Sequence, residues 1–167
     1  LALKRKNQLN TSPLVPNWVR RVPVGSKLRL KIDPNNDNIL YFPEGNVLWR
    51  NNDAGNFPYN NSHERSDFGW EAFADSLAYN DNITAVAVST VPANTVYYGT
   101  DDGRLFRIYN AHEENPGHVE VTDNGFPSGG YVTGICIDPQ DASNVIVVFS
   151  NYNKNSLFFS SDNGSTW

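Results

Sequence analysis

The sequence has no methionine, a single cysteine, and no apolar run that approaches the ~20 residues of a membrane-spanning helix. One cysteine, Cys136, excludes an internal disulfide, and the short apolar runs predict that the chain does not insert into a membrane. Lys and Arg number 13 against 18 Asp and Glu, and the net charge of -5 argues against a basic surface for nucleic acid. We expect neither a metal nor a cofactor, because the histidines match no zinc-ligand spacing.

Asparagine and aromatic residues, by contrast, are abundant. The 167 residues include 23 Asn, and 13% of the chain is aromatic. Asn hydrogen-bonds to its own backbone and tolerates left-handed conformations, which favours turns over helices. Helical periodicity is weak along the whole chain, so the composition predicts short strands joined by polar turns.

Three stretches share one pattern: residues 27–57, 83–111 and 132–167. Each begins with an alternating strand, runs into a Pro turn and an Asn-containing turn, and continues with two further short strands. Leu48, Leu105 and Leu157 are equivalent, with steps of 57 and 52 residues. A period near 50 built from short strands is typical of propeller blades. The segment WEAFADSLAY (70–79) is the best helix candidate, but a strand followed by a loop is predicted there, where a fourth strand belongs.

The third stretch ends in SSDNGSTW, which carries the pattern S-x-D-x-G-x-T-W at Ser160, Asp162, Gly164, Thr166 and Trp167. Asp accepts backbone N–H bonds within a turn, and Gly supplies a backbone angle that other residues avoid. The pattern resembles the Asp-box of bacterial-neuraminidase-type (BNR) repeats. The resemblance implies a hairpin between the third and fourth strands of a blade, with Asp in a structural role and Trp packing between blades.

A degraded copy of this motif follows the third strand of the first stretch. Asn51, Asp53 and Gly55 fill its first slots, and Trp70 fills the Trp slot after an insertion. The second stretch has lost the motif, and residues 108–122 are expected to form a longer connection.

The resemblance implies an all-β fold: a β-propeller fragment of about three blades of four-stranded antiparallel sheets with Asp-box hairpins. Residues 1–26 are expected to form an arm with a closing or preceding-blade strand. Blade one is predicted at 27–80, blade two at 81–131, and blade three at 132–167, cut short at its Asp-box. Because a ring needs at least four blades, we expect remaining blades of the same protein, or other chains, to complete the propeller.

Few residues carry a chemical signature. The carboxylates considered for sugar hydrolysis, which needs two across a cleft, are Asp101, Asp102, Glu71, Asp75 and Glu44. None has a context that fixes a role, and the pattern Asp-Asp-Gly at 101–103 indicates a hairpin turn. No catalytic residue is therefore assigned.

The remaining candidates are aromatic, thiol and imidazole side chains. Phe57, Tyr59 and Trp70 could stack on sugar rings or pack between blades. Cys136 lies in the apolar alternation YVTGICID and is predicted to be a buried thiol. The histidines are expected to be exposed loop residues: His63, His112 and His118.

The BNR/Asp-box resemblance extends to sialidases, xyloglucanases and sortilin-like propellers. We expect a non-catalytic scaffold, secreted or on the cell surface of a bacterium, that belongs to a larger protein and binds a protein or a glycan. The alternative is a portion of a propeller glycoside hydrolase acting on polysaccharide, similar to xyloglucanases and less to sialidases.

Overall fold

A computed structural model describes residues 30–57, 68–73 and 80–167, and these residues form eleven strands in three antiparallel sheets. The predicted all-β class is confirmed. The N-terminal arm at 1–26, Tyr59, His63 and Asp75 lie outside the described residues. No helix within the described residues is long and apolar enough to cross a membrane.

Within the described part of the chain, sheets 1 and 2 each contain four strands in sequential order. Sheet 1 consists of β1 (Lys31–Asp33), β2 (Asn36–Glu44), β3 (Val47–Asn51) and β4 (Trp70–Ala72), with a short 3₁₀ helix (Ala54–Asn56) before β4. Sheet 2 consists of β5 (Ile83–Val88), β6 (Val96–Thr100), β7 (Leu105–Tyr109) and β8 (Gly117–Glu120). The strand predicted at Trp70 is present as β4. The segment expected to be a long connection contains β8, because the residues from Gly117 to Glu120 pair with β7.

Sheet 3 has three strands among the described residues: β9 (Val132–Ile137), β10 (Val145–Phe149) and β11 (Leu157–Ser160). Its first strand, β9, packs against β5 and β6, just as β5 packs against β1 and β2. The first strands of the sheets therefore lie side by side, and β4 and β8 form the opposite, outer edge.

Both faces of sheet 2 are buried, because its strands alternate apolar residues toward two neighbours. Tyr98, Phe106 and Ile108 join a core cluster with sheet 1. Tyr97 and Leu105 join a second cluster with sheet 3. The sheets thus stack face to face, and each interface is a separate hydrophobic core.

Two tyrosine–arginine pairs occupy equivalent positions in the first two sheets. Tyr41 pairs across the ladder with Arg50, and Tyr97 pairs with Arg107. Burial raises the pKa of both tyrosine hydroxyls. Each arginine reaches the turn after the third strand of the next sheet: Arg50 donates to Ala111 O at 2.6 Å and Arg107 to Asn163 O at 2.8 Å.

The prediction of a buried thiol at Cys136 is wrong, because this side chain is exposed. Cys136 pairs with Ile146 on the face of sheet 3 that points away from sheet 2. The alternation in β9 is genuine, but only one of its faces is covered in the structure. An apolar alternation gives the strand and leaves open which face is buried.

Gly99 in β6 sets the distance between sheets 2 and 3. A Cβ atom at this position would lie 2.4 Å from Val132 Cγ1. Beside it, the Thr84 hydroxyl donates to Val132 O at 2.6 Å and lies 3.2 Å from Gly99 O. The absence of a side chain therefore allows β9 to seat directly on sheet 2.

We expect Gly99→Ala to destabilise the protein by about 1–3 kcal/mol, because the added methyl group overpacks this interface. Gly134→Ala is the matched control: it also lies in a strand, no heavy atom lies within 4 Å of the point where its methyl group would stand, and its effect should stay within about 0.5 kcal/mol. Urea unfolding measures both. Adding Val132→Ala to Gly99→Ala should cost less than the sum of the two single substitutions. Equal effects of the two glycine substitutions would contradict the proposed close approach.

Candidate functional site

Turns from all three sheets meet at one end of the stack, and we call this surface the loop face. It comprises Gly45, Asn82 and the segments 101–103, 127–131 and 150–156. Ile83 N–H donates to Gly45 O at 2.7 Å, which joins sheets 1 and 2. A Cβ atom on Gly103 would lie 3.1 Å from Gly130 N, which shows how closely segments 101–103 and 127–131 approach. The loop face is therefore one continuous surface.

Asp101 binds Asn82 through both carboxylate oxygens. Its Oδ1 accepts the Asn82 backbone N–H at 2.9 Å, and its Oδ2 accepts the Asn82 side-chain amide at 2.7 Å. The Asp101 N–H donates in return to Asn82 O at 3.0 Å. Segment 101–103 forms the predicted hairpin turn, with Gly103 at a φ of 84°. Asp101 thus fastens the turn after β6 to the link that precedes β5.

The other carboxylates considered for hydrolysis are distributed over the molecule. Asp102 is exposed on the loop face, and Glu44 ends β2 next to Gly45. Glu71 lies on β4 at the outer edge and forms an ion pair with Arg50 at 2.6 Å. The contacts of Asp101 and Glu71 thus join structural elements to each other.

Two tyrosines on the loop face were missed by the sequence analysis. Tyr152 is 96% exposed, and Tyr131 is also exposed. Tyr131 N–H donates to Asn151 Oδ1 at 3.2 Å, and Ser150 N–H donates to Tyr131 O at 3.1 Å, so the two loops are joined. The available signal was an aromatic residue in the polar segment SNYNKNS, where no strand pattern calls for one.

The turn at 160–167 is held by hydrogen bonds among the motif residues. Ser160 Oγ donates to Asp162 Oδ1 at 2.8 Å and accepts Gly164 N–H at 2.8 Å. Asp162 accepts the Thr166 backbone N–H at 2.8 Å and the Thr166 hydroxyl at 2.7 Å. Gly164 has a φ of 83°, which explains why glycine occupies this position.

These bonds lower the pKa of Asp162 to about 2, first through the Thr166 hydroxyl, then through the Thr166 backbone N–H and the Ser160 hydroxyl. Each donor stabilises the ionised carboxylate. The hydrogen bonds described for Asp162 thus lie within its own turn, and its structural role stays a prediction.

The same turn docks onto sheet 2. Trp167 Nε1 donates to Val121 O at 3.0 Å, and the indole packs edge-on against Phe126 at 5.4 Å. Arg107 binds the carbonyl of Asn163 from the other side. The turn therefore helps to join sheet 3 to sheet 2.

The related turn after β3 is held differently. Asn51 Oδ1 accepts the Asp53 N–H at 2.8 Å, and Asp53 Oδ1 accepts the Asn56 side-chain amide at 2.6 Å. Gly55 N–H donates to Asn38 Oδ1 at 2.9 Å. Trp70 pairs with Asn51 across the ladder, at the start of β4. The side chain of Asn51 thus accepts a backbone N–H of its turn, as Ser160 does in the turn at 160–167. The other hydrogen bonds of the two turns differ.

The candidate stacking residues contact one another on sheet 1. The ring of Trp70 lies 6.4 Å from Phe42 and 6.4 Å from Phe57. Phe57 remains partly exposed, and Tyr59 lies outside the described residues. Sugar stacking by these residues stays a prediction.

The expectation for the histidines is correct for His112, which is exposed, and wrong for His118. His118 is part of β8, and its ring stacks on Phe106 at 5.3 Å. Its Nε2 atom is 2.7 Å from the Tyr98 hydroxyl. The ladder between β7 and β8 places this imidazole over the aromatic core, where residues 108–122 were expected to form a loop.

Comparison with known proteins supports the fold. No family model and no curated protein matches the sequence. Among solved structures, the chain is similar to a crystal structure described as an ancestral GH74 enzyme, with a TM-score of 0.57 and 15% identity over 86% of this chain. The chain spans 18% of the length of that enzyme. The three sheets therefore match part of a β-propeller, as predicted.

We expect the turn at 160–167 to keep its structure down to strongly acidic pH. Since the pKa of Asp162 is lowered to about 2 from its ordinary value of 3.8, its stabilisation is fully present above pH 3.8. That stabilisation is lost as the pH falls through 2. The exchange rate of the Thr166 amide proton, followed by NMR between neutral pH and pH 2, measures this change.

Asp162→Asn should weaken the turn at neutral pH, because the amide replaces one accepting oxygen of the carboxylate with an NH₂ donor. It should also remove the change in Thr166 exchange at acidic pH, because an amide does not titrate there. Asp102→Asn is the matched control, since Asp102 is exposed and lies outside this turn. A Thr166 amide that behaves alike in the Asp162 and Asp102 variants would contradict the assigned role.

Proposed function

We propose that this chain is a non-catalytic β-propeller module of a larger secreted or cell-surface protein, and that its loop face binds a glycan. The observation that carries the binding proposal is Tyr152, which is 96% exposed in a loop of hydrogen-bonding side chains. Aromatic rings supply a flat apolar surface for the C–H face of a pyranose, and neighbouring amides supply donors and acceptors for its hydroxyls.

The loop around Tyr152 offers such amides. Asn151, Asn153 and Asn155 flank the aromatic side chain, with Lys154 between the last two. The bond from Tyr131 N–H to Asn151 Oδ1 holds the second exposed tyrosine next to this loop. Two exposed rings on joined loops suit an extended sugar chain better than a single small ligand.

The proposal of a larger protein rests on equivalent positions in the repeat. Leu48 and Leu105 are fully buried against the following sheet, whereas Leu157 is 64% exposed. Its neighbours on the outward face of sheet 3 are also exposed and apolar: Ile146, Val148 and Phe159. A face of this composition is suited to pack against a further sheet, as the first two faces do.

The non-catalytic character is proposed from the contacts of the carboxylates. Asp101 is bound by Asn82, and Glu71 is paired with Arg50. The likeness to a GH74 enzyme favours a second candidate, in which this chain is part of a propeller glycoside hydrolase. In that case Asp101 or Asp102 on the loop face would need a second carboxyl group across a cleft.

Affinity electrophoresis in gels that contain xyloglucan or mixed-linkage β-glucan tests the binding proposal. We expect retardation by at least one polysaccharide and a dissociation constant raised about tenfold or more in Tyr152→Ala. Tyr109→Ala is the matched control, because Tyr109 is also exposed but lies at the opposite end of the strands. If the chain releases reducing ends from a polysaccharide, and Asp101→Asn abolishes this release, the glycoside hydrolase candidate would replace the non-catalytic scaffold. No retardation by any polysaccharide would reject glycan binding at this face.

We also expect the outward face of sheet 3 to bind an apolar dye or a second chain. Leu157→Lys combined with Phe159→Lys should reduce anilinonaphthalene sulfonate fluorescence and any self-association seen by sedimentation velocity, since charges disrupt an apolar contact face. Val91→Lys, at another exposed apolar residue, serves as the control. If the double variant and the control bind equal amounts of dye, the face is not an adhesive surface.

A further inference from the structure

A cleft of about 260 Å³ opens at the outer rim between sheets 1 and 2. One wall is the end of β4 with Glu71 and Phe73, and the other is the loop after β7 with Glu114 and Asn115. Both walls converge on Arg50. The cleft is distinct from the loop face, because it lies beside the outer strands.

Arg50 is a buried cation held in a fixed orientation. Its side chain is 6% exposed, and Nη2 forms the ion pair with Glu71 at 2.6 Å. Nη1 donates to the carbonyls of Ala111 and Glu113, and the guanidinium lies 5.2 Å from the centre of the Phe73 ring. The Nε atom is buried as well. Arg50 therefore forms the closed floor of the cleft, and its contacts fix the position of Glu71 at the rim.

The remaining lining residues provide both polar and apolar contacts. Glu71 is 65% exposed despite its ion pair, so its carboxylate faces the solvent at the mouth of the cleft. Glu114 and Asn115 are exposed on the opposite wall, and Pro116 adds an apolar surface. His118 is held in place by its stack on Phe106 and its contact with the Tyr98 hydroxyl.

We infer that this rim cleft binds one pyranose unit. A hydroxyl group both donates and accepts, which suits a site lined by two carboxylates, an amide and a guanidinium. The C–H face of the ring suits the apolar side chains of Phe73 and Pro116. The volume accommodates a monosaccharide and is small for a longer chain. This site is independent of the proposed glycan binding by Tyr152.

The probes are methyl β-D-glucopyranoside and methyl β-D-xylopyranoside, titrated into the full chain and followed by ¹H–¹⁵N NMR spectra. We expect saturable shifts at Ala72, Asn115 and His118 with a dissociation constant on the order of 1–10 mM, typical of a ligand with so few atoms. The double variant Glu114→Ala/Asn115→Ala should bind about tenfold more weakly. It changes only exposed loop residues, so an intact dispersed spectrum verifies its fold.

Asn124→Ala, another exposed loop asparagine, should bind as the unchanged chain does, and so should Tyr152→Ala. Tyr152→Ala distinguishes the two sites. If this variant no longer binds polysaccharide but still shows the pyranoside shifts at the cleft, the rim site is supported on its own. The inference is overturned if neither pyranoside shifts these amides, or if the double variant binds with unchanged affinity. Shifts at the cleft with methylammonium, and none with the pyranosides, would show a cation site and also overturn it.

Discussion

Face-to-face contact between neighbouring sheets is the constraint on which the rest of this molecule depends. At the interface of sheets 2 and 3, Gly99 leaves room for Val132, and Thr84 ties the two backbones together. Without that close approach the turn at 101–103 would not reach segment 127–131, and the loop face would be divided. The surface proposed to bind a ligand thus depends on sheet spacing, which is set in the core.

The two ends of the stack have different chemical character as a result. At the loop face, backbone and amide groups join adjacent turns, as in the pair of Asp101 and Asn82. At the other end, arginines extend from one sheet to the carbonyl groups of the next. Exposed aromatic side chains are compatible with the loop face, because the polar groups of its turns already hydrogen-bond to one another. The rim cleft belongs to the second, where Arg50 reaches between sheets.

Much of the fold could be predicted from the sequence, because strand alternation and turn residues are local signals. The equivalence of Leu48, Leu105 and Leu157 gave the three sheets, and the motif at 160–167 marked a hydrogen-bonded turn. The exposure of Cys136 was not predictable, because it depends on which neighbour covers a face. Strand β8 was hidden for a related reason: its residues from Gly117 to Glu120 are mostly polar and half exposed, so their pairing with β7 leaves no alternation.

The candidate sites were harder to predict than the fold. The rim cleft combines residues 50, 71, 114 and 118, which only the packing of two sheets brings together. Tyr152 had a usable local signal, since an aromatic side chain in a polar loop lacks a packing role. Asp101 binds Asn82, which is close in space but distant in sequence. The Asp-Asp-Gly pattern predicted only the hairpin turn at 101–103 and gave no sign of this contact.

The arginine positions give the sheets an order that is not interchangeable. Sheet 2 donates a hydrogen bond to sheet 3 through Arg107 and accepts one from sheet 1 at the carbonyl of Ala111. Successive copies of sheet 2 could therefore be stacked with an arginine–carbonyl hydrogen bond at every interface. Sheet 3 accepts through Asn163 but carries Phe159 at the equivalent donor position. A copy of sheet 2 could therefore replace a neighbouring sheet and keep these hydrogen bonds. A copy of sheet 3 in the same place would leave the next sheet without an arginine donor. The chain encodes the position of each unit in the series as well as its shape.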